Sequence, residues 1–136
     1  MTGVDMVPEF ISHARAAHPG PRFRLGSMTE LGEPPGAAAG VLSWYSTIHL
    51  SPPALDAALA GFRHLLAPSG TLVIGFFDSD DGVAAFDHKV TTAYRWPAAV
   101  LSERLADAGL IVVERLRQEL ADRPDRRYGA LAARAS

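Results

Sequence analysis

The sequence contains no cysteine, which excludes a disulfide framework, a thiolate metal site and a cysteine nucleophile, and fits a reducing interior. Long apolar runs are absent too. The longest, around Leu72 to Phe77, is far too short to cross a bilayer, so no membrane role is expected. The N-terminus lacks a basic stretch followed by an apolar one, so no secretory leader is expected and a cytoplasmic location is the simplest reading. An excess of charge of either sign is lacking: the formal net charge is −2. A footprint for nucleic acid is therefore missing, and Arg123, Arg126 and Arg127 read as a solvated turn. No pair of histidines or carboxylates has metal-ligand spacing.

What is present is ordinary in amount. A chain of 136 residues, 48% hydrophobic and 21% charged, is long enough for one core and is expected to form a single domain over 1–136. Strands and helices alternate along it. Gly3-Val4-Asp5-Met6 reads as the end of a short buried strand, and Pro8 opens a helix whose Phe10, Ile11 and Ala14 share a face until His18-Pro19-Gly20. Arg22 to Leu25 alternates as a strand. Gly32 to Gly40 is a loop, and Val41 to Tyr45 a buried strand. Ser51 is an N-cap residue with Pro52 just inside, and Leu55, Leu59, Phe62 and Leu66 follow at helical spacing. Pro68-Ser69-Gly70 turns that helix into the apolar strand Thr71 to Phe77, which suits cover on both faces.

The remaining third has a different texture. Asp78 to Ala93 is polar and without clear period, and is expected to be a connection with one short helix around Val83 to His88. Trp96-Pro97 opens a helix in which Val100, Leu101, Leu105 and Ala108 share a face and Gly109 is the left-handed cap. Leu110 to Leu120 alternates as a long strand. Arg123 to Arg127 makes a turn into Tyr128 to Ala133, an antiparallel partner strand, because the connection is too short for a crossover.

Asp5 carries the most chemical information. An acid at the C-terminal tip of a strand in a nucleotide-binding α/β unit accepts bonds from a ribose diol, a task for a carboxylate. Such an acid belongs to a second strand, and only four residues precede it here. The competing role is a helix-entry acid near the positive end of the following helix.

Taken in order, Gly3-Val4-Asp5-Met6, Gly26-Ser27-Met28, Leu42 to Leu50, Leu66-Ala67-Pro68-Ser69-Gly70-Thr71-Leu72 and Ala108-Gly109-Leu110 resemble a class I S-adenosylmethionine-dependent methyltransferase from its second strand to its end. The resemblance implies a three-layer, Rossmann-like α/β fold, with a mainly parallel sheet, an antiparallel last strand and the N-terminal βα unit missing. It implies S-adenosylmethionine as cofactor and a small-molecule methyl acceptor. It places Asp5 on the ribose and Met6 against adenine. Ser27 stands where the family commonly has an acid for the adenine amino group, and Met28 follows it. Ser43, Trp44 and Tyr45 would line the methionine half, where aromatic faces suit a sulfonium cation. His49 is the candidate general base, with a helix-entry role as its alternative. His88 and Lys89 are further candidates over the strand ends, whereas His13, His18 and His64 read as surface residues.

The main departure is the glycine-rich turn that lets backbone approach the cofactor, for which nothing here substitutes. Weak cofactor binding by these residues alone, or none, is the expectation. Either Met1 is an internal start, or the two strands flanking the slot pair directly, or another chain, most simply in a homodimer, fills it. A non-catalytic remnant serving as an assembly module is the alternative function. A nicotinamide-dependent oxidoreductase would also use the ribose acid, but no tyrosine and lysine at helical spacing is evident.

Overall fold

The structure is a computed structural model, and it describes residues 1–28, 32–80, 82–88, 91–120 and 123–136, without the side chains of 88, 118–120 and 123–126. The expectation for Lys89 lies outside the described residues, as does the side chain of His88. The chain divides into two compact units, Met1–Glu33 and Pro34–Ser136.

The first unit holds β1 (Thr2–Asp5), α1 (Pro8–Ala17) and β2 (Arg22–Leu25). The two strands pair in parallel, Asp5 opposite Leu25. Parallel pairing requires a crossover, and α1 supplies it. Proline occupies its first turn, where an amide hydrogen has no helical partner anyway, and Ile11 is its buried residue.

The second unit holds β3 (Ala38–Trp44), α2 (Pro52–Leu65), β4 (Leu66–Asp78), β5 (Ala84–His88), β6 (Thr91–Trp96), α3 (Ala98–Asp107), β7 (Leu110–Leu120) and β8 (Arg123–Ala135). Its centre is β4. Along one edge β4 pairs antiparallel with β8 over 71–78. The other edge must then take both remaining partners, which are parallel: β3 opposite Thr71 to Gly75, and β6 opposite Phe77 and Asp78. Antiparallel hairpins β5–β6 and β7–β8 complete the sheet.

Opposed residues in a sheet share a face. One face of β4 carries Leu72, Ile74 and Phe76, all at most 2% exposed. Leu55, Leu59 and Phe62 of α2 and Leu101 and Leu105 of α3 are buried as well. The Ser51-Pro52 start of α2 is confirmed, with the Leu55 amide donating to the Ser51 carbonyl at 2.8 Å and no side-chain cap bond. Gly109 follows α3 at φ 86, where a side chain would be strained.

Three expectations need correction. The sheet is mixed, not mainly parallel, because antiparallel pairings join β4 to β8, β5 to β6 and β7 to β8. The connection after Asp78 contains no helix around 83–88; it forms the β5–β6 hairpin, in which Phe86 faces the fully buried Ala93 and Thr91, Thr92 and Tyr94 favour extended backbone. Trp96 accordingly ends β6 and leaves Pro97 as the N-cap of α3. Finally, Arg123 to Arg127 is not a turn but the first part of β8, with Arg127 opposite Asp78.

Candidate functional site

In the first unit, parallel pairing puts the C-terminal tips of β1 and β2 at one end. The Gly26 amide donates to the Asp5 carbonyl at 2.8 Å, so Ser27 and Met28 begin beside Asp5. Four of the expected residues therefore share one strand end. Asp5 Oδ1 accepts the Val7 amide at 2.8 Å, just before α1. The helix-entry role is thus real, yet a carboxylate has further lone pairs on both oxygens, so it leaves room for hydroxyl donors. Met6 is 67% exposed, while Ser27 and Met28 are half-buried. A cleft of about 260 Å³ is lined by Gly3, Val4, Asp5, Phe10, Ile11, Ala14 and Phe23. Met6, Ser27 and Met28 do not line it, and it is smaller than the roughly 300 Å³ usual for a ligand pocket.

In the second unit, Ser43, Trp44 and Tyr45 stand at the C-terminal end of β3, beside the end of β4. Ser43 is buried and exchanges a hydroxyl hydrogen bond with Ser46 at 2.5 Å. Trp44 is 55% exposed, and its ring lies across Gly75, where an added Cβ would come within 2.8 Å of it. Tyr45 has φ 57, the left-handed region that bulky side chains avoid. Its amide donates to the Gly75 carbonyl at 3.1 Å. Its ring meets Trp44, Phe77 and Tyr128 at centroid distances of 5.1, 5.5 and 5.7 Å. Burial, aided by the Tyr128 phenol, pushes the Tyr45 phenol up to about 12.

His49 follows in the same loop, with its ring exposed and Nδ1 2.8 Å from the Thr92 carbonyl. A carbonyl only accepts, so Nδ1 is the donor in this contact. The Tyr94 amide donates to the Ile48 carbonyl at 2.8 Å, so the hairpin strand β6 holds this loop at two points.

Sequence reasoning missed two groups. The first surrounds Asp78, whose side chain is 1% exposed. Oδ1 accepts the amides of Ser79 at 2.8 Å and Ala98, in the first turn of α3, at 3.2 Å. Oδ2 faces Arg115 at 3.4 Å and Arg117 at 3.2 Å. Asp80 pairs with Arg127 and Arg117, and the Arg127 hydrogen bond holds its carboxyl below the usual range. An available signal was that Phe76-Phe77-Asp78 repeats the pattern of an acid ending an apolar strand. The second group is aromatic: Phe86 and Tyr128 pack with Tyr45 against buried Phe77, Ile48 and Ala93. Among the described residues no cluster of three metal-ligating side chains occurs. No described helix is long and apolar enough to cross a membrane.

The fold has close counterparts. A Burkholderia thailandensis 1,6-didemethyltoxoflavin N1-methyltransferase, solved with 1,6-didemethyltoxoflavin and S-adenosylhomocysteine, is 26% identical and matches 99% of this chain and 60% of its own at a TM-score of 0.83. A Methanosarcina mazei S-adenosylmethionine-dependent methyltransferase is 14% identical and matches 98% of this chain and 81% of its own at 0.84. The chain thus spans less than two thirds of the Burkholderia enzyme's length. No curated protein sequence gives a significant match. A family profile described as methyltransferase domain matches residues 1–70, which include Asp5, the loop after β3 and all of α2, and by that match the chain belongs to the methyltransferase domain family.

Proposed function

We propose that this chain serves S-adenosylmethionine-dependent methyl transfer to a small-molecule acceptor, with residues 1–136 acting as one methyltransferase-like domain in the cytoplasm. The observation that carries the reading is the position of Asp5 at a parallel strand tip, with Ser27 and Met28 at the same end. Support comes from the Burkholderia structure, which holds S-adenosylhomocysteine and shares the fold. Asp5 accepts the ribose hydroxyls while keeping its bond to Val7, exposed Met6 lies against adenine, and Ser27 and Met28 flank the base. Ser43, Trp44 and Tyr45 serve the methionine half, where ring faces stabilise the sulfonium by about 0.5 to 2 kcal/mol.

In the reaction an acceptor lone pair forms a bond to the methyl carbon as the sulfur–methyl bond breaks. The bonding pair returns to sulfur, which becomes a neutral thioether. The proton released by the acceptor passes to the imidazole of His49, which the Thr92 contact holds in the loop after β3. Most of the rate enhancement comes from holding the nucleophile in line with the methyl group. In a two-dimensional NMR titration with S-adenosylhomocysteine, the amides of Asp5, Met6, Ser27, Met28 and 43–45 should shift most. Shifts confined to other residues, or none at millimolar ligand, would refute the assignment.

A second reading rests on exposed apolar groups. Leu42 and Trp44, which share a face of β3, are 70% and 55% exposed, and Leu116 of β7 is 62% exposed. They favour an assembly module, most simply a homodimer. Sedimentation equilibrium of the chain decides it: a strictly monomeric species at high concentration removes this reading.

A further inference from the structure

We propose that the aromatic cluster of Tyr45, Phe86 and Tyr128, built on Phe77, is the wall of the acceptor site, and that the acceptor is a planar aromatic or heteroaromatic molecule bearing the nucleophilic hydroxyl or amine. This rests on the methyl-transfer reading above and narrows its substrate class.

Position comes first. Strands β3, β4 and β6 are mutually parallel, so Trp44, Asp78 and Trp96 end at the same side of the sheet. Ligands of open α/β sheets sit outside the carboxyl ends of such strands. Tyr45 directly follows the end of β3, and Phe77 is one residue short of the end of β4. Tyr128 lies opposite Phe77 in β8. Phe86 reaches the same place from the β5–β6 hairpin, with its ring 5.3 Å from that of Phe77.

The arrangement also differs from plain core packing. Tyr45, Phe86 and Tyr128 are only half-buried, and Tyr45 keeps a left-handed backbone that orients its ring toward Phe77 and Tyr128. Strained backbone of this kind concentrates at functional sites. Two of the three rings carry hydroxyls, so the wall combines stacking surface with hydrogen-bonding groups that suit the oxygen or nitrogen of a flat acceptor. The Tyr45 phenol is protonated at neutral pH, as any phenol is, and so can donate.

An aromatic cage also suits a quaternary or protonated amine. Here the cationic place is already taken, because the Arg95 guanidinium lies over the Phe86 ring at 4.2 Å. The neighbouring carboxylates Asp78 and Asp80 are engaged by arginines. A cationic acceptor would meet repulsion without compensation, whereas a neutral or anionic ring would not.

The test uses the full chain and three probes in equilibrium dialysis: 2-naphthol, its saturated counterpart decahydro-2-naphthol, and choline. We expect 2-naphthol to bind at least tenfold more tightly than either of the others. Tyr128→Leu and Phe86→Leu should each weaken 2-naphthol at least fivefold and change S-adenosylhomocysteine affinity less than twofold. Tyr128→Phe, which keeps the ring, should retain the preference for the planar probe. Equal binding of naphthol and its saturated form, or tighter binding of choline, overturns the proposal, and the wild-type comparison alone decides this if a leucine variant fails to fold. S-adenosylhomocysteine binding without planar selectivity removes the aromatic wall alone. Planar selectivity without S-adenosylhomocysteine binding keeps the wall and removes the methyl-transfer reading.

Discussion

Residues 1–33 and 34–136 carry opposite balances of chemistry and support. The first unit bears the acid on which the cofactor reading depends, yet among the described residues Ile11 is its sole buried apolar side chain. The second unit contains every other buried apolar residue, including the fully buried Leu59, Leu72, Ile74 and Leu105. A piece with so little core cannot offset the ordering of its own backbone, since folding alone is already marginal for domains of about 60 residues. The residues proposed for the nucleoside therefore sit on the part of the chain with least local stability, and those proposed for the acceptor on the part with most.

Hydrogen exchange should show that contrast as the largest effect. Amides within 72–76 and 129–133 are expected to exchange near the global limit, and those of β1 and β2 by local opening, about 5 kcal/mol or three to four decades in rate apart. Equal protection would break the comparison. Leu105→Ala should next cost about 2 to 5 kcal/mol in denaturant unfolding by emptying a fully buried site. Ile11→Ala should instead act mainly on exchange within β1 and β2. If both substitutions lower the global midpoint equally, the two regions fold as one cooperative body.

Asp78→Ala tests whether the second unit's carboxylate is structural. It removes two amide partners and leaves Arg115 and Arg117, each 44% exposed, to solvent. Because these arginines can rehydrate, the cost in urea unfolding should be about 1 to 3 kcal/mol, less than for a fully buried pair. The smallest effect concerns Tyr45. Its folded phenol is raised to about 12 from an ordinary 10.0, so the unfolded chain loses its proton first as pH rises. The stabilising contribution is complete below pH about 10 and is lost as pH climbs toward about 12. Tyr45→Phe should flatten the alkaline limb of the thermal-stability profile; an unchanged limb would mean that the phenol is not buried in solution.

The same division explains what the sequence made legible. Helix α2 was readable because Ser51-Pro52 marks its start and Leu55, Leu59 and Phe62 repeat at local spacing. Strand β2 and the left-handed Gly109 were equally local signals. The β5–β6 hairpin was not readable, since Ala84 to His88 and Thr91 to Trp96 become strands by pairing, and β6 extends the edge of β4 through two residue pairs only. The role of Asp78 depends on arginines 37 and 39 residues away in sequence. Likewise the Tyr45–Tyr128 contact joins the residue after β3 to the interior of β8, far apart in sequence. Asp5, Ser27 and Met28 come to one strand end because a single short crossover fixes them, and the Asp5 bond to Val7 shows the helix-entry role that was the competing expectation.

The most direct measurement is the affinity of S-adenosylhomocysteine for the full chain and for Asp5→Ala, followed by NMR shift titration so that weak binding is still read. The account predicts saturable binding that Asp5→Ala weakens by about 1.5 to 3 kcal/mol, the range for hydrogen bonds to a charged group, or roughly ten- to a hundredfold in Kd. Identical affinities for the two proteins, with the variant folded, would contradict the assignment of Asp5 to the ribose and with it the cofactor site proposed for this chain.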